Sequence, residues 1–243
     1  MKLRPFFCYY GGKFRVAPKY PAPEHRTIVE PFAGAAGYST RYFARDIVLV
    51  ERDPVVAGLW KYLTRVSGAE IRSLPLVGNE QTIDDLHGIA PEAKTLIGFW
   101  LTGGSASPRK SPSKWMRSRP NSTSYWGELT RARIAEQVEA IRHWQVIEGS
   151  YERSPFLPAT WFVDPPYQQA GSHYRFGSKQ IDYDGLAAWC VSREGTTIVC
   201  ENAGATWLPF EPFATIQANS SASKGGKKTS EEVIFVRRTG DVA

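Results

Sequence analysis

Two neighbouring stretches, Thr27-Ile28-Val29-Glu30-Pro31-Phe32-Ala33-Gly34-Ala35-Ala36-Gly37-Tyr38-Ser39 and Ile47-Val48-Leu49-Val50-Glu51-Arg52-Asp53-Pro54, set the fold class. Residues 27–32 read as a strand. Residues 33–39 form a small-residue loop that opens a helix expected to run to about Arg45. Residues 47–50 read as a second buried strand, closed by an acidic, proline-ended turn. Strand, glycine-rich loop, helix, strand and acid is the order of a nucleotide-binding βαβ unit. Glycines at 34 and 37 allow a tight turn and a close approach of backbone to ligand. The helix N-terminus behind them offers free N–H groups to an anionic group. The spacing is not GxGxxG and no GK[ST] follows, so a P-loop is not expected. The same residues would also serve as a plain strand–helix turn. Glu51, at the end of the second strand, can accept hydrogen bonds from both hydroxyls of a ribose. Asp53 is a neighbouring candidate, and either acid could instead cap the helix that starts near Pro54.

Outward from this unit the pattern changes. From Val55 to Trp144 the residues read as mostly helical, with Glu128 to Trp144 one helix-like segment. Strand-like runs resume at Gln145-Val146-Ile147, Trp161-Phe162-Val163, Thr196–Cys200 and Glu232–Val236. The expectation is an α/β domain built from residues 1–58 and 145–243, interrupted by a helical module at 59–144.

The chain has 243 residues, 42% apolar and 22% charged, with a net charge of +6. That suits a globular protein, and the basic excess is compatible with a polyanionic partner. Cys8, Cys190 and Cys200 are odd in number and far apart, which suggests a reducing compartment. His25, His87, His143 and His173 form no metal-ligand pair, and no metal is expected. No apolar run reaches a membrane span. Arg4 and Pro5 interrupt any signal-peptide core, so the expected location is cytoplasmic.

The residues most informative about chemistry are Asp164-Pro165-Pro166-Tyr167, directly after the apolar run ending at Val163. Two prolines leave the backbone stiff and without ladder partners, so carboxylate, carbonyl and ring point beyond the strand end. Ligands of open α/β sheets bind there. An acceptor pair beside an aromatic plate suits a planar ring that carries an amine. Ser150-Tyr151 lies beyond another strand end, where the ring could pack on a purine or simply join the core. Arg109, Lys110, Lys114, Arg117 and Arg119 surround Trp115, a density of cations near an aromatic that suits phosphate contact and stacking. Lys224, Lys227 and Lys228 form a second basic run, in a glycine- and serine-rich segment.

Taken together, Tyr10-Gly11-Gly12-Lys13, Pro31-Phe32-Ala33-Gly34 with Gly37, Glu51-Arg52-Asp53-Pro54 and Asp164-Pro165-Pro166-Tyr167 resemble the Dam-type, alpha-group DNA adenine-N6 methyltransferases. Tyr174-Arg175-Phe176-Gly177 and Glu231-Glu232-Val233-Ile234 also look like that family. The chain departs from it at Ala35, where a second glycine is usual, at Glu51, usually Asp, and at Ser150-Tyr151, often Asp-Phe. The resemblance implies a Rossmann-like methyltransferase sheet with an inserted target-recognition domain, S-adenosylmethionine as cofactor and double-stranded DNA as partner, in a monomer or weak dimer. It implies that Asp164, Pro165, Pro166 and Tyr167 act on the target base. Tyr10, Gly12, Lys13, Pro31, Phe32, Ala33, Gly34, Ala35, Gly37, Tyr38, Ser39, Glu51, Arg52, Ser150, Tyr151 and Asp164 would surround the cofactor. The two basic runs would meet DNA. In this reading the Asp164 carboxylate and the Pro165 carbonyl hold the two N–H groups of the target amine, and Tyr167 stacks on a base flipped out of the duplex. Restriction companion, replication marking and phage self-protection all fit. Other readings of the same residues are transfer to cytosine N4, RNA or a protein amide, and a catalytically silent DNA-binding module. A nucleotide-binding oxidoreductase is disfavoured by the missing GxGxxG.

Overall fold

The computed structural model of the chain describes residues 2–119, 122–217 and 229–241. Seven strands form one sheet: β1 (Thr27–Glu30), β2 (Asp46–Glu51), β3 (Gln145–Glu148), β4 (Ala159–Val163), β5 (Gly195–Asn202), β6 (Glu211–Gln217) and β7 (Thr229–Arg238). Their order is β3-β2-β1-β4-β5-β7-β6. The first five are parallel, whereas β7 runs antiparallel to both β5 and β6. This is the expected Rossmann-like α/β sheet. Chain order reverses between β1 and β4, the crevice where such sheets bind ligands.

Both faces of the sheet are covered, so the central strands carry apolar residues on both sides. Ile28, Ile47, Leu49, Phe162 and Ile198 face one core, and Val29, Val48, Val50, Trp161 and Val199 face the other. The first core also takes in α2 (Pro54–Leu63) and α4 (Pro91–Trp100). Asp53 starts α2 by accepting the Val55 N–H, with Pro54 in the first turn, where its missing N–H costs nothing. Trp60 of α2 is fully buried among Phe6, Phe7 and Trp144, and its indole N–H donates to the Gly34 carbonyl at 2.7 Å. A division between residues 58 and 59 therefore falls inside a helix, and the helical segment shares its core with the sheet. The rest of that segment holds α3 (Gly68–Ser73), α5 (Lys114–Arg117) and α6 (Glu128–Gln137).

Four elements differ from the sequence expectation. The first helix, α1, covers only Gly37–Arg41, because the Tyr42 N–H already closes a tighter turn on Ser39. Helix α6 stops at Gln137 and a 3-10 turn, Val138–Ile141, finishes the segment. Helix α7 (Tyr183–Val191), capped by the Asp182 side chain, and the edge strand β6 are additional. No helix among the described residues is long and apolar enough to cross a membrane.

Candidate active site

A cavity of about 400 Å³ opens at the carboxyl ends of β1, β2, β3 and β4. Its walls come from turns that the strands cannot continue into. After β1, Gly34 (φ 44°) and Ala36 (φ 46°) wind the loop left-handed. Ala36 is the one non-glycine residue there, an uncommon backbone for a side chain. Gly37 is required by contact: a Cβ would lie 2.5 Å from the Phe14 nitrogen. The loop is thereby pressed onto the turn that carries Lys13.

The α1 N-terminus does not present itself to a ligand. The Ser39 N–H donates at 2.6 Å to the carboxylate of Glu30, which ends β1 and lines the cavity. A carboxylate of the chain thus occupies the place where an external anion was expected. Glu30 is almost completely buried, and burial pushes its carboxyl up to about 8. Glu51 ends β2. Its two oxygens accept the Gly34 and Asp53 N–H groups, each at 2.8 Å, while burial raises its carboxyl to about 7. Glu152 accepts the Ser150 hydroxyl. With Asp53, Asp164 and Asp182, six carboxylates line the cavity, against Lys13, Arg52 and Arg175.

Asp164 follows β4. Its carboxylate is 2.9 Å from the Lys13 ammonium, which is also 3.7 Å from Glu232 and 4.6 Å from the centre of the Tyr167 ring. Burial raises the Asp164 carboxyl, and Lys13 pulls it back. The Pro-Pro turn is fixed by its neighbours: the Tyr183 hydroxyl donates to the Pro166 carbonyl at 2.6 Å, Gly171 N–H to the Tyr167 carbonyl at 2.7 Å, and Gln168 N–H to Glu201 at 3.1 Å. The residues 174–176 then link both walls. The Tyr174 hydroxyl donates to the Tyr10 carbonyl at 3.2 Å, Arg175 lies 3.6 Å from Asp53, and the Arg52 guanidinium sits 4.9 Å from the Phe176 ring. Phe32 and Tyr151 stack at 5.6 Å to form an aromatic wall.

The cavity brings together Tyr10, Gly12, Lys13, Pro31, Phe32, Ala33, Gly34, Ala35, Gly37, Glu51, Arg52, Ser150, Tyr151, Asp164 and Pro166. Four expected residues lie outside its lining. Tyr38 points into the core, stacked on Phe162 at 4.3 Å, with its hydroxyl on the Pro21 carbonyl. Ser39 is buried beside Glu30. Pro165 is buried in the turn, and Tyr167 is half-buried behind Lys13. Sequence reasoning gave no site role to Glu30, Glu152, Asp182 or Glu232, although Glu232 sits in a stretch that resembles the family. Glu30 carried a usable signal, since it is an acid at a strand end like Glu51.

The first basic run is exposed throughout, from Arg109 and Lys110 through Lys114 and Arg117 to Arg119. Trp115 is 50% exposed and flanked by the Lys114 ammonium at 5.2 Å and the Arg119 guanidinium at 5.4 Å. Lys110 instead pairs with Asp84 at 2.8 Å. The segment leading to the run begins at the cavity, where the Tyr10 N–H donates to the Ser105 carbonyl. Lys224, Lys227 and Lys228 lie outside the described residues. Among the described residues no cluster of His, Cys, Asp and Glu is placed to hold a metal.

Neither a family profile nor a curated protein sequence matches this chain. Among solved structures, the rRNA methyltransferase AviRa from Streptomyces viridochromogenes is similar over 91% of this chain and 80% of its own, with 14% identity and a TM-score of 0.36.

Proposed function

We propose that the protein transfers the methyl group of S-adenosylmethionine to the exocyclic N6 amine of adenine in double-stranded DNA. The observation that carries this reading is an acid-lined cavity, at the switch point of a Rossmann-like sheet, that includes Asp164. Six carboxylates oppose a phosphate-bearing dinucleotide and favour a cationic nucleoside. The residues fit that ligand. Glu51 retains acceptor capacity for ribose hydroxyls, the Phe32–Tyr151 wall suits a purine face, and Glu30 places negative charge beside the remaining cationic part. S-adenosylmethionine supplies an electrophilic methyl group on a sulfonium.

The chain supplies position and charge. An aromatic amine is a weak nucleophile because its lone pair is delocalised into the ring. Asp164, which lines the cavity, would accept one of its N–H groups and so turn the lone pair toward the methyl. Bound S-adenosylmethionine would supply the methyl and leave as the neutral thioether, and the Asp164 carboxylate would offset the positive charge that reaches the amine nitrogen. The amine proton then leaves through Asp164 to solvent. The target must leave the duplex to reach this depth, at a cost of a few kcal/mol. The exposed Trp115 and its flanking cations would provide stacking and phosphate contact.

The test is transfer from tritiated S-adenosylmethionine to unmethylated genomic DNA, with nucleoside analysis of the product. N6-methyladenine that disappears in Asp164→Ala supports the assignment. Label found in RNA alone would replace the substrate, and no label in either nucleic acid would remove the reading.

A further inference from the structure

The Lys13 ammonium has two carboxylate partners, and the methyl-transfer reading uses only one of them. It lies 2.9 Å from Asp164 and 3.7 Å from an oxygen of Glu232 on β7. Both Lys13 and Glu232 are buried. Glu232 is itself fixed on its far side, where the Tyr20 hydroxyl donates to its other oxygen at 2.6 Å. Tyr20 in turn stacks on Phe213 at 4.5 Å and meets Phe162 edge-on, so that this support is rigid. The chain of contacts therefore runs Asp164, Lys13, Glu232, Tyr20, from the cavity into the sheet.

A carboxylate fully committed to an ammonium is a poor acceptor for a substrate amine. Asp164 can only turn to an amine N–H if Lys13 has somewhere else to put its charge, because an unpaired buried ammonium is strongly disfavoured. We propose that Glu232 is a positioning residue that takes over the Lys13 ammonium when Asp164 engages the amine to be methylated, with Tyr20 holding Glu232 for that exchange. The inference rests on the methyl-transfer reading for its purpose, whereas the shared ion is a property of the protein alone. The groups facing Lys13 are Asp164 and Tyr167 after β4, Glu232 on β7 and Cys200 on β5. Burial opposes the Lys13 charge, and Asp164 ahead of Glu232 restores it.

The test reads Lys13 directly. The full chain is labelled with lysine carrying carbon-13 at Cε, and the Lys13 signal is assigned by its loss in Lys13→Met. In the wild type this signal stays in its protonated position up to about pH 10. Asp164→Asn keeps it there through neutral pH, because Glu232 holds the ammonium. Asp164→Asn with Glu232→Gln moves the titration down by at least about two pH units, as burial is left unopposed. Equal titrations in the single and double variants would overturn the proposal, as would a double variant that still titrates like the wild type. If the double variant does not fold, as judged by thermal melting, Asp164→Asn with Tyr20→Phe replaces it, with a smaller downward shift expected and no shift overturning the exchange. In methyl transfer, Glu232→Gln lowers kcat at least about tenfold and leaves KM for the cofactor near wild type. A wild type inactive on every nucleic acid would remove the methyl-transfer reading while the carbon-13 titration still decides the shared ion.

Discussion

Glu51 accepts the Gly34 N–H at 2.8 Å, so the end of β2 is tied by a side chain to the loop that follows β1. Its other oxygen accepts the Asp53 N–H, which also fixes the entry to α2. One carboxylate thus braces two walls of the cavity while keeping lone pairs for a ligand. Glutamate's extra methylene suits this reach across to the neighbouring loop. Glu51→Ala leaves two backbone donors without partners, at about 1–3 kcal/mol of stability. We expect cofactor affinity, read by calorimetry, to fall at least tenfold, about 1.4 kcal/mol. An unchanged Kd would take Glu51 out of the binding site.

Asp164→Ala and Asp164→Asn separate binding from chemistry. The carboxylate follows β4, whereas Glu51 ends β2, Phe32 follows β1 and Tyr151 follows β3. Removing it should lower kcat by about 10³-fold, the scale found for charge-stabilising groups. Cofactor affinity should stay near wild type, and Lys13 keeps Glu232 as partner. Single-turnover transfer and calorimetry on the same preparations check both halves. Wild-type turnover in either variant would end the assignment of Asp164.

Much of this site is legible in the sequence because its walls are short-range features. The runs 27–32, 47–50 and 161–163 read as strands, and each ends in residues that cannot extend a strand. The pairing of Lys13 with Asp164 is not legible, since it depends on how two distant turns meet over β1 and β4. Nor is the inward turn of Tyr38, which follows from the helical phase set by Gly37. Strand β6 hides because Pro212 interrupts it and a register shift falls between Pro212 and Ala214, both tolerated on an edge strand. Helix α7 hides because only Leu186 and Cys190 of its residues are buried, too few to show a stripe. The short α1 reads as a longer helix because nothing in residues 42–45 forbids one.

Tyr38→Phe tests where that ring sits. Its hydroxyl donates at 2.7 Å to the Pro21 carbonyl, and the ring stacks on Phe162. The variant keeps the stack and loses about 1 kcal/mol from the missing hydrogen bond. Cofactor affinity should not change. A fall in affinity without a fall in melting temperature would place Tyr38 at the ligand after all.

Trp115 and its cations are the readable part of the proposed DNA interface. Trp115→Ala should cost about 1–3 kcal/mol in DNA affinity if a base stacks there. Lys114→Ala and Arg119→Ala should each reduce the slope of log affinity against log salt by about 0.9, one phosphate contact apiece. Lys110→Ala should do less, because its charge is already paired with Asp84. Fluorescence anisotropy across a salt series separates the three. Equal slopes in all variants would remove this face from the interface.

Glu30 and Glu51 give stability and binding opposite pH dependences. Glu30 titrates at about 8 and Glu51 at about 7 in the folded chain, against an ordinary value near 4.5, with burial the main cause in each. Both folded values are raised, so the folded state binds more protons than the unfolded state between about pH 4.5 and 8. Stability from these groups is therefore fully present below the ordinary value and is lost as pH rises through 7 and 8. A cationic ligand reverses the preference, because it pairs with the ionised carboxylates. Cofactor affinity should accordingly rise between pH 6 and 8 while the melting temperature of the ligand-free protein falls. Glu30→Gln should flatten the melting curve between about pH 7 and 8 and reduce its slope below pH 7, where Glu51 still contributes. Melting curves and calorimetry at matched ionic strength check this, and an affinity that falls with pH would argue against a cationic ligand in the cavity.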